Sequence, residues 1–260
     1  MIKLIASDLD GTLLKNGAQK LNPIVFDLIR EFKKHDILFV SASGRQYSNQ
    51  QRLFAPVKDD IAYIAENGSL SAYKNEILSK SILNRDLGIR IIEAIRSFPG
   101  CDCIVSGEKI CYTDSKNPAF MDHMVNVVGN DMQYVNDLTC DIDEPFLKIS
   151  ACDFNGAADC QKYFQGLFSP EIKITTSGNI WADFIIPGSD KGTALLALLK
   201  QLKIEPEDCV AFGDQYNDLD MLKLAGTSYA ISTAAPGLSA YCTHITDCVE
   251  DTLAEILASL

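Results

Sequence analysis

The sequence predicts an α/β fold in which a doubly wound parallel sheet, of the Rossmann-like kind, carries an inserted α+β domain. Two observations predict it: apolar runs alternate with helical patterns at both ends of the chain, whereas the middle holds short strands in pairs. Alternating strands and helices favour a parallel sheet, and paired short strands favour an antiparallel one. We therefore predict a core domain from residues 1–82 and 186–260, and an inserted domain from residues 83–185 with helices on one side of its sheet.

In the first part of the core, one helix lies between predicted strands. Three apolar runs predict buried strands, at residues 2–8, 37–42 and 61–66. Asn22 is a helix-capping residue and Pro23 suits the first helical position, so a helix is expected over residues 23–34. The apolar stripe of this helix consists of Ile24, Val25, Leu28, Ile29 and Phe32.

The alternation returns after residue 186, and the inserted domain has shorter elements. In the second part of the core, we predict helices at 192–202, 218–225 and 250–259, and strands at 208–213, 228–232 and 244–246. In the inserted domain, we predict helices at 86–97, 118–128 and 156–168, and strands at 102–106, 109–113, 146–152, 171–176 and 180–186. Turns at residues 106–109 and at Gly178-Asn179 indicate that neighbouring strands pair as hairpins.

Composition and charge exclude several classes of partner. No window of about 18 uncharged apolar residues occurs, so we predict no membrane partner. The net charge of −12 leaves no basic stripe that could offset phosphate repulsion, so we predict no nucleic-acid partner. Because the N-terminus lacks the apolar region and cleavage site of a signal peptide, we expect cytoplasmic residence.

The nine cysteines are expected to be reduced core residues. Their number is odd, they lie mostly in apolar stretches, and no secretion signal precedes them, which disfavours a disulfide framework. Cys101-Asp102-Cys103 is a C-x-C pair, yet none of the three histidines is spaced with it. A zinc site at this pair is therefore disfavoured as well.

Two carboxylates, Asp8 and Asp10, stand where the first apolar run ends. A buried strand that runs into a turn here lies at the carboxyl edge of an open α/β sheet, where ligands bind. Like charges this close disfavour joint ionisation, a penalty that a divalent cation removes. Asp-x-Asp also occurs in calcium loops, in receiver-type phosphoacceptors and in capped turns, so this segment alone leaves those alternatives open.

Two further segments offer groups that suit an anion. In Ser43-Gly44-Arg45, a hydroxyl and a free amide could hold a phosphate oxygen. Ser43 could equally cap the next helix, with Arg45 as a surface charge. Lys191 adds a positive charge at the N-terminus of a predicted helix, where the helix dipole also favours an anion.

The fourth segment supplies hard oxygen ligands of the kind that magnesium favours. It runs from Gly213 and Asp214 at a predicted strand exit to Asn217 and Asp218 on the next turn. A capped helix start is the alternative, and Asp220 fits that alternative as an acid in the first turn of a helix.

In this order, the segments resemble the haloacid dehalogenase (HAD) superfamily, and within it the Cof-type sugar-phosphatase-like branch. That branch carries Asp-x-Asp-Gly-Thr-Leu, Thr/Ser-Gly-Arg, Glu-Asn-Gly, Lys-Gly and Gly-Asp-x-x-Asn-Asp. In this chain the matching residues are 8–13, 43–45, 66–68, 191–192 and 213–218. The inserted domain lies where this branch carries its large α/β (C2-type) cap, so we call residues 83–185 the cap.

The resemblance implies hydrolysis of a small phosphorylated metabolite, with a sugar phosphate as the favoured substrate, through an aspartyl-phosphate. Asp8 is implied to be the nucleophile and a Mg²⁺ ligand, and Asp10 the acid and base, with its backbone carbonyl on the metal. Asp214 and Asp218 are implied to complete the metal site. The implied phosphate-binding residues are Ser43, Gly44, Lys191 and Asn217, where Asn217 orients Lys191 or the phosphate, and the implied substrate contacts are Arg45 and Asn67.

The chain departs from the family pattern at two places. Residues 231–235 replace the Asn-Ala pair that usually follows the fourth segment, and Asp183 is the nearest acid where the family often places Glu before the lysine-bearing segment 190–192. A phosphosugar mutase and a catalytically retired binding protein remain alternatives. A carbon-halide hydrolase is disfavoured, because it has no use for Asp10 as an acid. Since every motif residue lies outside the cap, we expect the cap to be a lid that sets substrate choice and supplies no essential catalytic group.

Overall fold

The computed structural model describes residues 1–177 and 179–260, so Gly178 of one predicted turn lies outside the described residues. Its strands are β1 (Leu4–Ser7), β2 (Leu38–Ala42), β3 (Ala62–Ala65), β4 (Leu70–Tyr73), β5 (Glu76–Lys80), β6 (Cys101–Ser106), β7 (Cys111–Thr113), β8 (Met132–Tyr134), β9 (Lys148–Asp153), β10 (Lys173–Ser177), β11 (Trp181–Ile185), β12 (Cys209–Gly213), β13 (Thr227–Ile231) and β14 (His244–Thr246). Its helices are α1 (Pro23–Lys34), α2 (Tyr47–Leu53), α3 (Arg85–Ser97), α4 (Pro118–His123), α5 (Ala157–Phe168), α6 (Lys191–Leu202), α7 (Leu219–Leu224) and α8 (Val249–Ala258). Among the described residues, no helix combines the length and the apolar character needed to cross a membrane.

Eight strands form the first sheet, in the order β14-β13-β12-β1-β2-β3-β4-β5. The strands from β14 to β3 are parallel to one another. Helices α1 and α8 pack on one face of this sheet, and α6 and α7 pack on the other. The predicted doubly wound parallel sheet is therefore confirmed, and its carboxyl edge is formed by the ends of β12, β1 and β2.

The sequence analysis did not predict strands β4 and β5, which extend this sheet with antiparallel pairing, or helix α2. Strands β3, β4 and β5 pair antiparallel, and the turn between β4 and β5 places Lys74 and Asn75 at positive φ angles of 52° and 63°. Hairpin turns of this kind usually contain Asn-Gly or Asp-Gly, a signal that Lys-Asn lacks. Strand β5 is also mostly exposed, so no apolar run marks it in the sequence.

Six strands form the second sheet, in the order β10-β11-β9-β6-β7-β8. All its pairs are antiparallel except β7 with β8, which is parallel. The predicted one-sided arrangement of helices is wrong, because α3 and α5 pack on one face while Phe120 of α4 packs on the other. Both faces of β6 are apolar. Cys103 and Val105 belong to the apolar cluster that contains α3 and α5, and Ile104 belongs to the cluster that contains Phe120. The α+β class of the cap is confirmed.

Each sheet draws its strands from a separate part of the chain. The first sheet draws its strands from residues 4–80 and 209–246, and the second from residues 101–185. The exact limits of the core and the cap, near residues 82 and 186, stay a prediction.

Two helices differ from their predictions in detail. Helix α1 has the predicted bounds, and the side chain of Asn22 accepts a hydrogen bond from Ile24 N, but Ile24 itself is 46% exposed and lies outside the buried stripe. The predicted helix over 118–128 is α-helical only to His123. It continues as a π-helical turn, Met124–Val128, in which Gly129 N donates to the Met124 carbonyl. Met124, Val127 and Val128 of this turn line a cavity that residues of the first sheet's edge also line.

Candidate active site

Three neighbouring strands of the first sheet end at the same edge, and a candidate functional residue follows each. Asp8 follows β1, Ser43 follows β2 and Asp214 follows β12. The backbone holds two of these exits in register: Asp8 N donates to the Phe212 carbonyl at 3.0 Å, and Ser43 N donates to the Ile64 carbonyl at 2.9 Å. The strand order β12-β1-β2 therefore places residues that are distant in sequence side by side.

Three of the predicted metal ligands form one buried cluster. Carboxylate oxygens of Asp8, Asp214 and Asp218 lie within 4.8 Å of one another. The motif glycines make room for them: a Cβ at Gly11 would stand 2.2 Å from an Asp214 oxygen, and a Cβ at Gly213 would stand 2.6 Å from the Asp218 Cβ. These glycines are required for close approach of chain to carboxylate.

Neighbouring segments fix the orientation of two of these carboxylates. Thr12 Oγ1 donates to Asp214 Oδ1 at 3.0 Å, and Ala235 N donates to the Asp214 carbonyl at 2.8 Å. Asp218 Oδ2 accepts hydrogen bonds from the backbone amides of Asp214 and Gln215, each at 3.0 Å. The segment that replaces the family's Asn-Ala pair thus supports the backbone of Asp214.

Lys191 joins this cluster as its one ammonium group. It is fully buried at the start of α6, and its Nζ donates to Asp8 Oδ1 and to Asp218 Oδ1, both at 2.6 Å. Burial alone would lower the pKa of Lys191, but Asp218 and Asp8 outweigh burial and raise it above its usual value. The side chain is therefore a protonated cation at neutral pH.

One ammonium ion does not balance three carboxylates. Burial raises the pKa of Asp8 well above its ordinary value, with Asp218 and Asp214 adding to the effect. Burial and the charge of Asp218 raise the pKa of Asp214 to about 6. A group of buried acidic oxygens with excess negative charge matches the requirements of a hard divalent cation.

Asp10 lies at the mouth of this cluster and is held by Arg45. The Asp10 side chain is 54% exposed, and its two oxygens accept hydrogen bonds from Arg45 Nε at 2.7 Å and Nη2 at 2.6 Å. Such a bidentate pair fixes the plane of a carboxylate as well as its position. Arg45, predicted as a substrate contact, therefore also positions Asp10.

The predicted phosphate loop lies next to this pair. Ser43 is buried, and its Oγ accepts a hydrogen bond from Arg45 N at 3.1 Å. A Cβ at Gly44 would stand 3.0 Å from Asn67 Oδ1, so Asn67 packs directly on the loop. The structure thus brings Ser43, Gly44 and Asn67 together, and their contacts with phosphate and substrate stay predictions.

Asn217 was expected to orient Lys191 or the phosphate, and in the structure its side chain is hydrogen-bonded to Asn67. Its Nδ2 donates to Asn67 Oδ1 at 3.1 Å, and Asn67 Nδ2 donates to Asp183 Oδ2 at 2.8 Å. Asn217 Oδ1 is buried and has no hydrogen-bond partner among the described residues. The structure therefore links Asn217 to Asn67 and the cap, and not to Lys191.

Sequence reasoning assigned no role to a second buried lysine, Lys148, which β9 of the cap brings to the site. Its Nζ donates to the Gly44 carbonyl at 2.8 Å and lies 2.8 Å from Glu66 Oε2 and 3.9 Å from Asp183 Oδ1. Burial alone would lower the pKa of Lys148, but Asp183 and Glu66 outweigh burial and raise it. The available signal was a charged residue inside the apolar run Phe-Leu-Lys-Ile.

A cavity of about 330 Å³ lies between the two sheets. Its floor comes from the core and includes Asp8, Ser43, Gly44 and Asn217. Its far end comes from the cap, and we call this part the apolar roof: Ile104, Met124, Val127, Val128, Ile180 and Trp181. The cavity therefore offers polar groups at one end and apolar groups at the other.

Comparison with known proteins agrees with this geometry. The family model described as haloacid dehalogenase-like hydrolase matches residues 5–257. The chain is 28% identical over 240 residues to the 5-amino-6-(5-phospho-D-ribitylamino)uracil phosphatase YbjI of Escherichia coli (strain K12), covering 92% of this chain and 88% of that one. It is 25% identical over 247 residues to an HMP-PP phosphatase of Escherichia fergusonii, covering 94% and 89%.

A solved structure shares the whole architecture. SMU.1108c from Streptococcus mutans UA159 superposes with a TM-score of 0.90 at 27% identity, covering 99% of this chain and 100% of that one. The family match extends over nearly the entire chain, and the relatives above are named phosphatases. The resemblance and the enzyme class predicted from the motifs are therefore confirmed: the chain belongs to the haloacid dehalogenase-like hydrolase family and is a phosphatase.

Proposed function

We propose that this protein is a magnesium-dependent phosphomonoester hydrolase that forms an aspartyl-phosphate on Asp8. One observation carries the proposal: Asp8 lies on the floor of the cavity, beside the Lys191 ammonium and the carboxylates of Asp214 and Asp218. A carboxylate is a weak nucleophile toward a phosphate dianion unless nearby charge is neutralised. The cluster around Asp8 has the groups that would neutralise it.

The carboxylate cluster fits Mg²⁺. Its donors are all oxygens, they lie close together, and their shared burial raises the pKa of Asp8 and Asp214, a cost that a bound cation would remove. We propose Asp8, Asp214, Asp218 and the backbone carbonyl of Asp10 as the ligands. When bound, Mg²⁺ would neutralise charge on the transferring phosphoryl group.

In the first half of the proposed reaction, a carboxylate oxygen of Asp8 attacks phosphorus and the bond from phosphorus to the leaving oxygen breaks. Asp10 donates a proton to that oxygen, so that an alcohol leaves. Lys191 keeps Asp8 in place through the 2.6 Å contact and offsets phosphoryl charge. We propose that Ser43 Oγ and the Gly44 amide bind the phosphoryl oxygens.

In the second half, water attacks phosphorus and the bond between phosphorus and Asp8 breaks, releasing inorganic phosphate. Asp10, now a carboxylate, accepts the proton of that water. Arg45 holds the carboxylate form of Asp10 by two hydrogen bonds, which suits its role as the base in this half. Asn67 and Asn217 would support the phosphate loop from the other side.

Small phosphorylated metabolites are the proposed substrate class. The names of the two relatives point the same way, since one is a phosphatase of a phosphorylated ribitylaminouracil and the other an HMP-PP phosphatase. The cavity volume of about 330 Å³ suits one small organic group. The sugar phosphate implied by the resemblance stays a prediction.

The proposal is tested by the release of inorganic phosphate from a panel of esters that includes acetyl phosphate, with Mg²⁺ and with excess EDTA. We expect Asp8→Asn to lower turnover by roughly three orders of magnitude or more, as for other covalent nucleophiles. Asp27→Asn is the matched control, because Asp27 is an exposed residue of α1. Full activity in EDTA, or more than a tenth of normal activity in Asp8→Asn, would contradict the proposal.

A further inference from the structure

The apolar roof differs in character from the rest of the cavity. Its six side chains carry no charge, and they come from β6, the π-helical turn and the start of β11. Met124 and Ile104 are almost fully buried, and Trp181 is half-buried and lines the cavity. The two charged residues that the cap contributes to the cavity lining, Lys148 and Asp183, both contact the core, through the Gly44 carbonyl and the Asn67 side chain. A ligand group that reaches the roof therefore meets apolar surface.

Two aromatic rings are held in place beside each other at the roof. The rings of His123 and Trp181 lie 6.1 Å apart with an interplanar angle of 36°, and both residues line the cavity. Phe154 packs edge-on against His123 at 5.4 Å, and Phe120 packs edge-on against Trp181 at 6.2 Å. Partial burial lowers the pKa of His123, so its ring is neutral near pH 7. Preorganised neutral rings favour contact with another flat ring.

Three serine hydroxyls that line the cavity already donate their hydrogens to carboxylates. Ser150 and Ser177 donate to Asp183, and Ser106 donates to Glu66. The roof itself offers one hydrogen-bonding side-chain group, the indole N–H of Trp181, so a polyol that reached the roof would lose its hydrogen bonds to water and find few replacements there, at a cost for each unpaired hydroxyl. A flat ring would instead gain from apolar burial and from stacking.

We propose that the leaving group of this phosphatase is a planar aromatic or heteroaromatic alcohol whose ring packs on Trp181 and His123, and that these two residues set the choice of substrate. The inference rests on the proposed function, because it assigns the phosphate to the floor of the same cavity. It departs from the sugar phosphate expected from the sequence. The role of Trp181 and His123 is to bind the ring, and no proton transfer is assigned to them.

The first test compares kcat/KM for benzyl phosphate, glucose 6-phosphate and acetyl phosphate. We expect benzyl phosphate to exceed glucose 6-phosphate by about tenfold or more. Trp181→Ala should lower kcat/KM for benzyl phosphate about tenfold more than for acetyl phosphate, chiefly through KM, and Trp181→Phe should restore most of the loss. Tyr134→Ala is the matched control, since Tyr134 is an exposed aromatic residue of the cap away from the cavity.

A second test does not require turnover. Trp181 is the one tryptophan of the chain, so the protein's tryptophan fluorescence reports the roof directly. In the Asp8→Asn variant with Mg²⁺, benzyl phosphate should change the fluorescence at concentrations at which glucose 6-phosphate does not. Equal responses to the two esters, a preference for glucose 6-phosphate, or an equal loss with every ester in Trp181→Ala would overturn the inference. Absence of phosphate release from every ester, with the fluorescence response intact, would overturn the proposed function alone.

Discussion

The molecule contains two buried lysines, Lys191 and Lys148, which both pair with carboxylates but differ in where those partners lie. Lys191 contacts Asp8 and Asp218, which both follow strands of the first sheet, so its charge is balanced within the core. Lys148 lies on a cap strand, and its hydrogen-bonding partners, the Gly44 carbonyl and the Glu66 carboxylate, belong to the core. The contact of Lys191 with the proposed nucleophile, Asp8, therefore does not depend on the position of the cap, whereas the pair of Lys148 and Glu66 joins the cap to the core.

This difference in partners suggests different roles for the two lysines, one in the reaction and one in the placement of the cap. Moving the cap would leave the contacts of Lys191 intact. It would separate Lys148 from Glu66 and so leave an ammonium and a carboxylate either exposed to solvent or buried without a partner. Because Lys148 also contacts the carbonyl of the phosphate loop, a closed cap would steady Gly44. We infer that Lys191 acts in phosphoryl transfer and that Lys148 positions the cap on the loaded site.

Removing the core lysine should have the largest effect. Lys191→Met leaves Asp8 and Asp218 without their shared cation, so we expect kcat and kcat/KM to fall by roughly two to three orders of magnitude. The measurement is phosphate release from acetyl phosphate, with circular dichroism to confirm folding. A folded variant that loses less than a factor of about ten would remove Lys191 from the chemistry.

The next largest effect is expected from a change to the proposed metal site, and it is measured as a change in thermal stability and not in rate. A ligand present at 100 times its dissociation constant stabilises the native state by about 2.7 kcal/mol, so Mg²⁺ should raise the Tm of the unaltered protein. Asp214→Asn keeps the side-chain size but removes a charged ligand, so the Mg²⁺-induced rise in Tm should shrink or vanish. Asp27→Asn should keep the full rise. An unchanged rise in Asp214→Asn would place the metal elsewhere.

Breaking the cap lysine should have a smaller effect on rate. Lys148→Met should raise KM by roughly tenfold with a modest change in kcat, because the cap is positioned less well while the groups around Asp8 stay in place. Steady-state kinetics with benzyl phosphate measures the split. A loss in kcat as large as that of Lys191→Met would show that the cap supplies an essential group, and the expectation drawn from the sequence would be wrong.

The smallest effect is expected when both members of the cross-boundary pair are neutralised. A lone buried charge costs about 3–5 kcal/mol, so Lys148→Met alone should lower the free energy of unfolding by an amount of that order. Adding Glu66→Gln removes the nearer of the two carboxylates beside Lys148, leaving Asp183, and should recover part of the loss. Urea unfolding of the two single variants and the double variant measures the coupling. Additive losses would mean that the pair is not an energetic unit.

Most of the motifs stand where a buried strand of the first sheet ends, and this position predicted where their residues meet. Asp8, Ser43 and Asp214 follow apolar runs, and the parallel arrangement inferred from alternating elements brings such ends to one edge. These parts of the fold depend on local patterns, so the sequence carries enough information to predict them.

The cap's contribution depends on contacts between chain segments that no local pattern records. Lys148 meets Glu66 across 82 residues, and its partner cannot be deduced from the apolar run around it. The π-helical turn that presents Met124 and Val128 follows helical periodicity closely enough to be read as ordinary helix. Asn217 was expected to orient Lys191 or the phosphate because it stands in a motif, whereas the contact that its side chain makes, with Asn67, is set by tertiary packing.

The central claim is that Asp8 carries the phosphoryl group, and trapping that intermediate tests it most directly. Asp10→Asn should slow the second half of the reaction, because no base activates water, while acetyl phosphate has a leaving group that needs no acid for the first half. Acid quenching followed by peptide mass spectrometry should find one phosphoryl group on Asp8, absent when Asp8→Asn is added. A phosphoryl group on another residue, or phosphate release by Asp10→Asn at an unchanged rate with Asp8 unmodified, would contradict the account.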